Sequence, residues 1–86
     1  MPTISEFFGI VIRMYYDDHS PPHFHAYYGD QAALISIETL ELIEGSLSKR
    51  ATAMVLEWAQ AHREELKADW ALAEKHQPLE KIAPLE

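Results

Sequence analysis

The sequence predicts an α+β domain: a small antiparallel sheet of three to four strands, with one long C-terminal helix packed on one face. Three observations carry this reading. β-Branched and aromatic residues gather in short runs between residues 10 and 44, separated by turn residues. Apolar residues then recur at steps of three and four from residue 49 to about residue 75. The chain has 86 residues, enough for one small domain, assigned to 1–86.

The first strand is expected over Ile10-Val11-Ile12-Arg13-Met14-Tyr15-Tyr16. Asp17 to Pro22 follows as a loop rich in aspartate and proline. His23 to Tyr28 is the second strand, Gly29-Asp30 a turn, Ala32 to Ile37 the third strand and Leu40 to Ile43 the fourth. Gly45 ends that region, and Ser48 is a good helix N-cap. Ala51, Met54, Val55, Trp58, Ala59, His62, Leu66, Trp70 and Ala73 mark one stripe of a helix over 49–75. The tail, 78–86, has two prolines with spaced Leu79, Ile82 and Leu85, and is expected to be extended and packed on its own domain or on a partner.

Strand alternation orders the faces. Ile10, Ile12 and Met14 match Phe24, Ala26 and Tyr28 on the apolar face. Arg13 and Tyr15 then share the other face with His23, His25 and Tyr27, and burial opposes a one-residue slip.

Hydrophobic residues make up 48% and there is no cysteine, which excludes disulfides and thiolate zinc sites and fits a reducing, cytoplasmic compartment. No apolar run approaches a membrane span, and Met1 to Glu6 lacks the pattern of a secretory signal. The net charge of −7 disfavours nonspecific RNA or DNA binding.

The chemistry concentrates in Asp17-Asp18-His19-Ser20-Pro21-Pro22-His23-Phe24-His25. Together with Ile10-Val11-Ile12-Arg13-Met14-Tyr15, Leu56-Glu57-Trp58-Ala59, His62-Arg63-Glu64-Glu65-Leu66, Trp70 and Pro78-Leu79-Glu80-Lys81-Ile82, this run resembles the small prokaryotic family numbered 4160 among the domains of unknown function. The resemblance covers nearly the whole chain. It departs at Leu40, where a turn glycine is expected, and at Ser48, where proline is frequent. It implies no settled biochemistry. It does imply a gene often paired with a second small family, numbered 2442, in an arrangement like a toxin–antitoxin operon. The expected partner is therefore a small protein encoded by a neighbouring gene, and this chain would be the toxin-like half.

Three functional readings stand side by side. In a ribonuclease, His23 and His25 would transfer protons, Arg13 would stabilise charge on the phosphate, and Tyr15 or Tyr27 would stack on a base. In a metal protein, His23 and His25 would be ligands, with His19 or Asp18 as the third. A divalent metal is thus allowed for, though the first reading needs none. In a binding or regulatory module, the tyrosines and tail would meet a partner, and an imidazole would brace the loop through a backbone carbonyl. His62, on the apolar stripe, is a weaker binding candidate.

Overall fold

The computed structural model describes residues 2–16 and 18–86; Asp17, expected to be a turn residue, lies outside the described residues. The α+β class holds, with more elements than the sequence suggests. Five strands, β1 (Thr3–Phe7), β2 (Ile10–Arg13), β3 (His23–Tyr28), β4 (Gln31–Ser36) and β5 (Leu42–Ser46), precede two helices, α1 (Lys49–Ala61) and α2 (Arg63–Glu74). The strands form one antiparallel sheet in chain order.

β1 is a correction to the expected three or four strands. A register irregularity between Thr3 and Ser5 breaks its pairing with β2. Ile4 and Ser5 are buried in succession, so the alternation that marks a strand breaks there. Phe8 (φ 48) and Gly9 (φ 81) join β1 to β2 with two left-handed residues, as a tight hairpin requires. β2 ends at Arg13, earlier than Tyr16, although Met14 stays wholly buried. β5 starts at Leu42 and runs through Gly45 to Ser46, two to three residues later than the expected Leu40 to Ile43. Gly45 lies at φ +79, and a Cβ there would come within 2.2 Å of the Ala32 carbonyl oxygen, so the strand pair closes only on glycine. Leu40 holds φ 60, the left-handed geometry for which a turn glycine is expected.

The single helix expected over 49–75 is two. His62 (φ −118, ψ 24) separates α1 from α2. Hydrogen bonds from His62 N to Trp58 O (3.1 Å) and from Leu66 N to His62 O (3.0 Å) run through the bend, so the apolar stripe crosses it unbroken. Ser48 caps α1 as expected, its hydroxyl accepting from Ala51 N–H at 3.1 Å.

One sheet face and the helices enclose the core. Ile10, Ile12, Met14, Phe24, Ala26 and Ile35 pack with Val55, Trp58, Leu66 and Trp70. Trp58 is its centre, 5.4 Å from the Phe7 ring and edge-on to Phe24. The tail packs in cis. Ile82 N–H donates to Ile4 O (2.8 Å), Trp58 Nε1–H to Ala83 O (2.8 Å) and Glu80 N–H to Asp69 Oδ1 (2.9 Å).

Asp69 has a cost built in. It is 1% exposed, and its Oδ2 finds no partner among the described residues. Burial raises its carboxyl above the ordinary 3.8; the Glu80 N–H opposes this, and the Glu80 and Glu65 charges add to it. The folded protein therefore keeps a proton on Asp69 at pH values where the unfolded chain has lost it. Its contribution to stability improves as pH falls through the raised pKa towards 3.8, and is lost as pH rises. Asp69→Asn is expected to flatten the melting midpoint against pH above the ordinary carboxyl value of 3.8. Parallel curves for the two proteins would show that Asp69 titrates as in the unfolded chain.

Candidate functional site

The register puts the expected residues together at one end of the sheet. Arg13 pairs with His25 and Val11 with Tyr27 across β2 and β3, so Arg13, His25 and Tyr27 share the face away from the helices. His23 opens β3 and is nevertheless buried, because Trp70 of α2 packs on its ring with centroids 5.3 Å apart. The β2–β3 loop then turns Asp18 back over both imidazoles.

Asp18 Oδ2 lies 3.2 Å from His23 Nε2 and 3.2 Å from His25 Nε2. One donor atom from each of the three residues falls within 4.8 Å of the others. The other nitrogen of His23 decides how this is read. Its Nδ1 is 2.8 Å from the Pro21 carbonyl oxygen. A carbonyl only accepts, so Nδ1 carries the proton and the neutral ring has its lone pair on Nε2. That lone pair faces the Asp18 carboxylate. Neutral His25 supplies at most one proton to the group. A second proton on His23, or a cation between the three, is needed to make the convergence favourable.

The spacing suits a cation. Ligands about 2.1 Å from a metal stand roughly 3.4 Å apart in a tetrahedron and roughly 3.0 Å apart in an octahedron. The two separations from Asp18, 3.2 Å each, fall between these values and also suit hydrogen bonds, and the third pair, His23 and His25, lies within 4.8 Å. The Pro21 contact is the outer hydrogen bond that fixes ring orientation in metal-binding histidines. It is also the loop brace expected of a structural histidine.

Other expected residues take different places. His19 is exposed and is not in the cluster; Asp18 is the third member. Arg13 is engaged with Tyr27 and Thr3. Its guanidinium carbon lies 5.4 Å from the Tyr27 ring centroid, and its Nε–H donates to Thr3 Oγ1 at 3.3 Å. Tyr15 and Tyr27 bond to each other, oxygen to oxygen, at 2.6 Å, with the His25 ring edge-on to Tyr15 and stacked on Tyr27. Tyr27 is pushed up to about 12, first by burial, then by its hydrogen bond to Tyr15 and the Tyr15 charge; Arg13 opposes this and Asp18 adds to it. Tyr27 therefore stays a phenol near neutral pH. His62 sits at the helix bend against Trp58 and pairs with Glu65, apart from the cluster.

Sequence reasoning missed the neighbouring cavity. It has a volume of about 210 Å³ and is lined by Tyr15, Asp18, Trp70, Ala73, Glu74 and His76. Its wall comes from the end of α2, which no local signal ties to the histidine loop. Stacking of Tyr16 on His76 joins the same two regions.

Fold and site together define a class: a small α+β domain with two histidines and one carboxylate gathered at the end of its sheet. The chain belongs to the family described as Domain of unknown function (DUF4160), whose model matches residues 9–71 and so spans Asp18, His23, His25 and Trp70. No curated protein and no solved structure matches the chain. No helix among the described residues is long and apolar enough to cross a membrane.

Proposed function

We propose that this domain binds one divalent transition-metal ion, of the zinc type, through Asp18 Oδ2, His23 Nε2 and His25 Nε2. The observation that carries the reading is the His23–Pro21 hydrogen bond, which turns a lone pair towards Asp18 and His25. Two imidazoles and a carboxylate suit zinc, iron or nickel better than magnesium or calcium. Three protein ligands leave coordination positions for water or a substrate, and a metal-bound water can be a nucleophile near neutral pH.

The geometry favours this over a metal-free ribonuclease. Two histidines working as acid and base need to flank a phosphate, whereas these converge on one carboxylate. Arg13 is engaged with Tyr27 and Thr3. The toxin-like role and the neighbouring-gene partner, implied by the resemblance, are compatible with a metal centre and supply no chemistry of their own.

The test is metal content. Protein purified without an affinity tag and dialysed against cobalt(II) is expected to retain one ion per chain and to show the visible absorption of a low-coordinate site. His23→Ala/His25→Ala is expected to retain none while keeping its circular dichroism. Absence of retained cobalt or zinc at micromolar protein would overturn the reading.

A further inference from the structure

The cavity beside the centre has a chemistry of its own. Tyr15 and Trp70 supply aromatic surface, and Asp18 and Glu74 supply carboxylates. No lysine or arginine is among the described residues that line it. Trp70 is fixed by its packing on His23, and Tyr15 by its bond to Tyr27. Both aromatic walls are therefore already in place before a ligand arrives. An anion entering this space would meet two carboxylates, with the His76 imidazole as the one basic group among the described lining residues. A cation would meet aromatic side chains and carboxylates, the two kinds of partner that hold ammonium and guanidinium groups, with His76 beside them.

We propose that this cavity binds an alkyl guanidinium group, with its flat head between Glu74 and Asp18 and its stem against Trp70 and Tyr15. Guanidinium suits the site better than ammonium. It is planar and weakly hydrated, stacks on aromatic rings and bonds carboxylates through two N–H groups at once. The inference adds a ligand beside the metal and does not require the metal. Asp18 is shared, so a bound ion takes up its charge and leaves Glu74 as the main anchor.

The test uses the whole chain, metal-free and zinc-loaded, titrated with butylguanidine, its uncharged isostere butylurea, and butyl phosphate. The readout is the NMR shift of the Trp70 indole N–H and of the Ala73 and Glu74 amides. Butylguanidine is expected to bind the metal-free protein saturably. Butylurea should bind at least about tenfold more weakly, as should butylguanidine to Glu74→Gln, since a charge-assisted pair is lost in each case. Glu74 is exposed, so its replacement leaves the core alone. Equal binding of butylguanidine and butylurea, preference for butyl phosphate by the metal-free protein, or an unchanged Glu74→Gln variant would each overturn the proposal. An acetylated and amidated Gly-Arg-Gly peptide distinguishes the source. Tighter binding than butylguanidine supports a protein side chain as the natural ligand, and weaker binding supports a small molecule. If zinc fails to bind, the metal-free titration still stands, so the two readings fail separately.

Discussion

Removal of residues 78–86 is expected to destabilise the domain by about 3–5 kcal/mol, the range of a core side chain lost together with its hydrogen bonds. Ile82 is 4% exposed and completes the cluster around Trp58. Its removal alone forfeits about 2 kcal/mol of burial. The Trp58 indole N–H loses the Ala83 carbonyl, and the wholly buried ring loses the segment that packs against it. The loss of Ile82 N–H to Ile4 O reopens the outer side of β1. The loss of Glu80 N–H removes the one hydrogen bond that Asp69 accepts among the described residues. Domains of this size carry roughly 5–10 kcal/mol in all. The midpoint of thermal unfolding should therefore fall on the order of 15–30 °C. A fall of less than about 4 °C would show that the tail is peripheral to stability. The effect also governs how partner experiments are read. A truncated chain that no longer binds a partner has lost part of its own core, so truncation cannot locate a binding surface here.

That tail shows where sequence reasoning ends. Prolines and spaced apolar residues say that 78–86 is extended and packs on something; only the fold says that the something is Ile4 and Trp58. The central strands were legible because β2 and the middles of β3 and β4 bury alternate residues, and the parity drawn from Ile10, Ile12, Phe24 and Ala26 matches the observed register; it fails at the ends of β3, where Tyr28 is exposed and His23 is buried. β1 was not legible, since its irregularity destroys the alternation, nor was the full length of β5, all of whose residues are exposed. The break at His62 was hidden because hydrogen bonding and the apolar stripe continue across it. The histidine loop announced itself by composition. Its third member did not, because Asp18 and His19 are neighbours in sequence and the loop's path alone selects between them. Trp70 was legible as a residue of the apolar stripe, but its contact with His23 and the place of Glu74 beside Asp18 in the cavity wall depend on tertiary packing.

Zinc is expected to raise the unfolding midpoint of this chain by about 10–20 °C when the free ion stands at a hundred times its dissociation constant. An ion that binds only the folded state stabilises it by about 2.7 kcal/mol at that ratio. For a domain of this size each kcal/mol moves the midpoint by about 4–8 °C. The folded state alone has the site, since Asp18 reaches His23 and His25 through the path of the loop and His23 is oriented by the Pro21 carbonyl. Single replacements should grade the response. His23→Ala and His25→Ala each remove one of three donors, and each should weaken zinc by more than the roughly 10–100-fold typical of an outer-sphere partner. Asp18→Asn keeps an oxygen in place and removes the charge, so part of the shift should survive. His19→Ala should leave it intact, because His19 is exposed and outside the cluster. The decisive comparison is His23→Ala/His25→Ala at the same free zinc. If that variant gains as many degrees as the unaltered chain, the ion is bound elsewhere. If neither gains any, the three side chains are held together by protons and hydrogen bonds alone, and the metal reading fails.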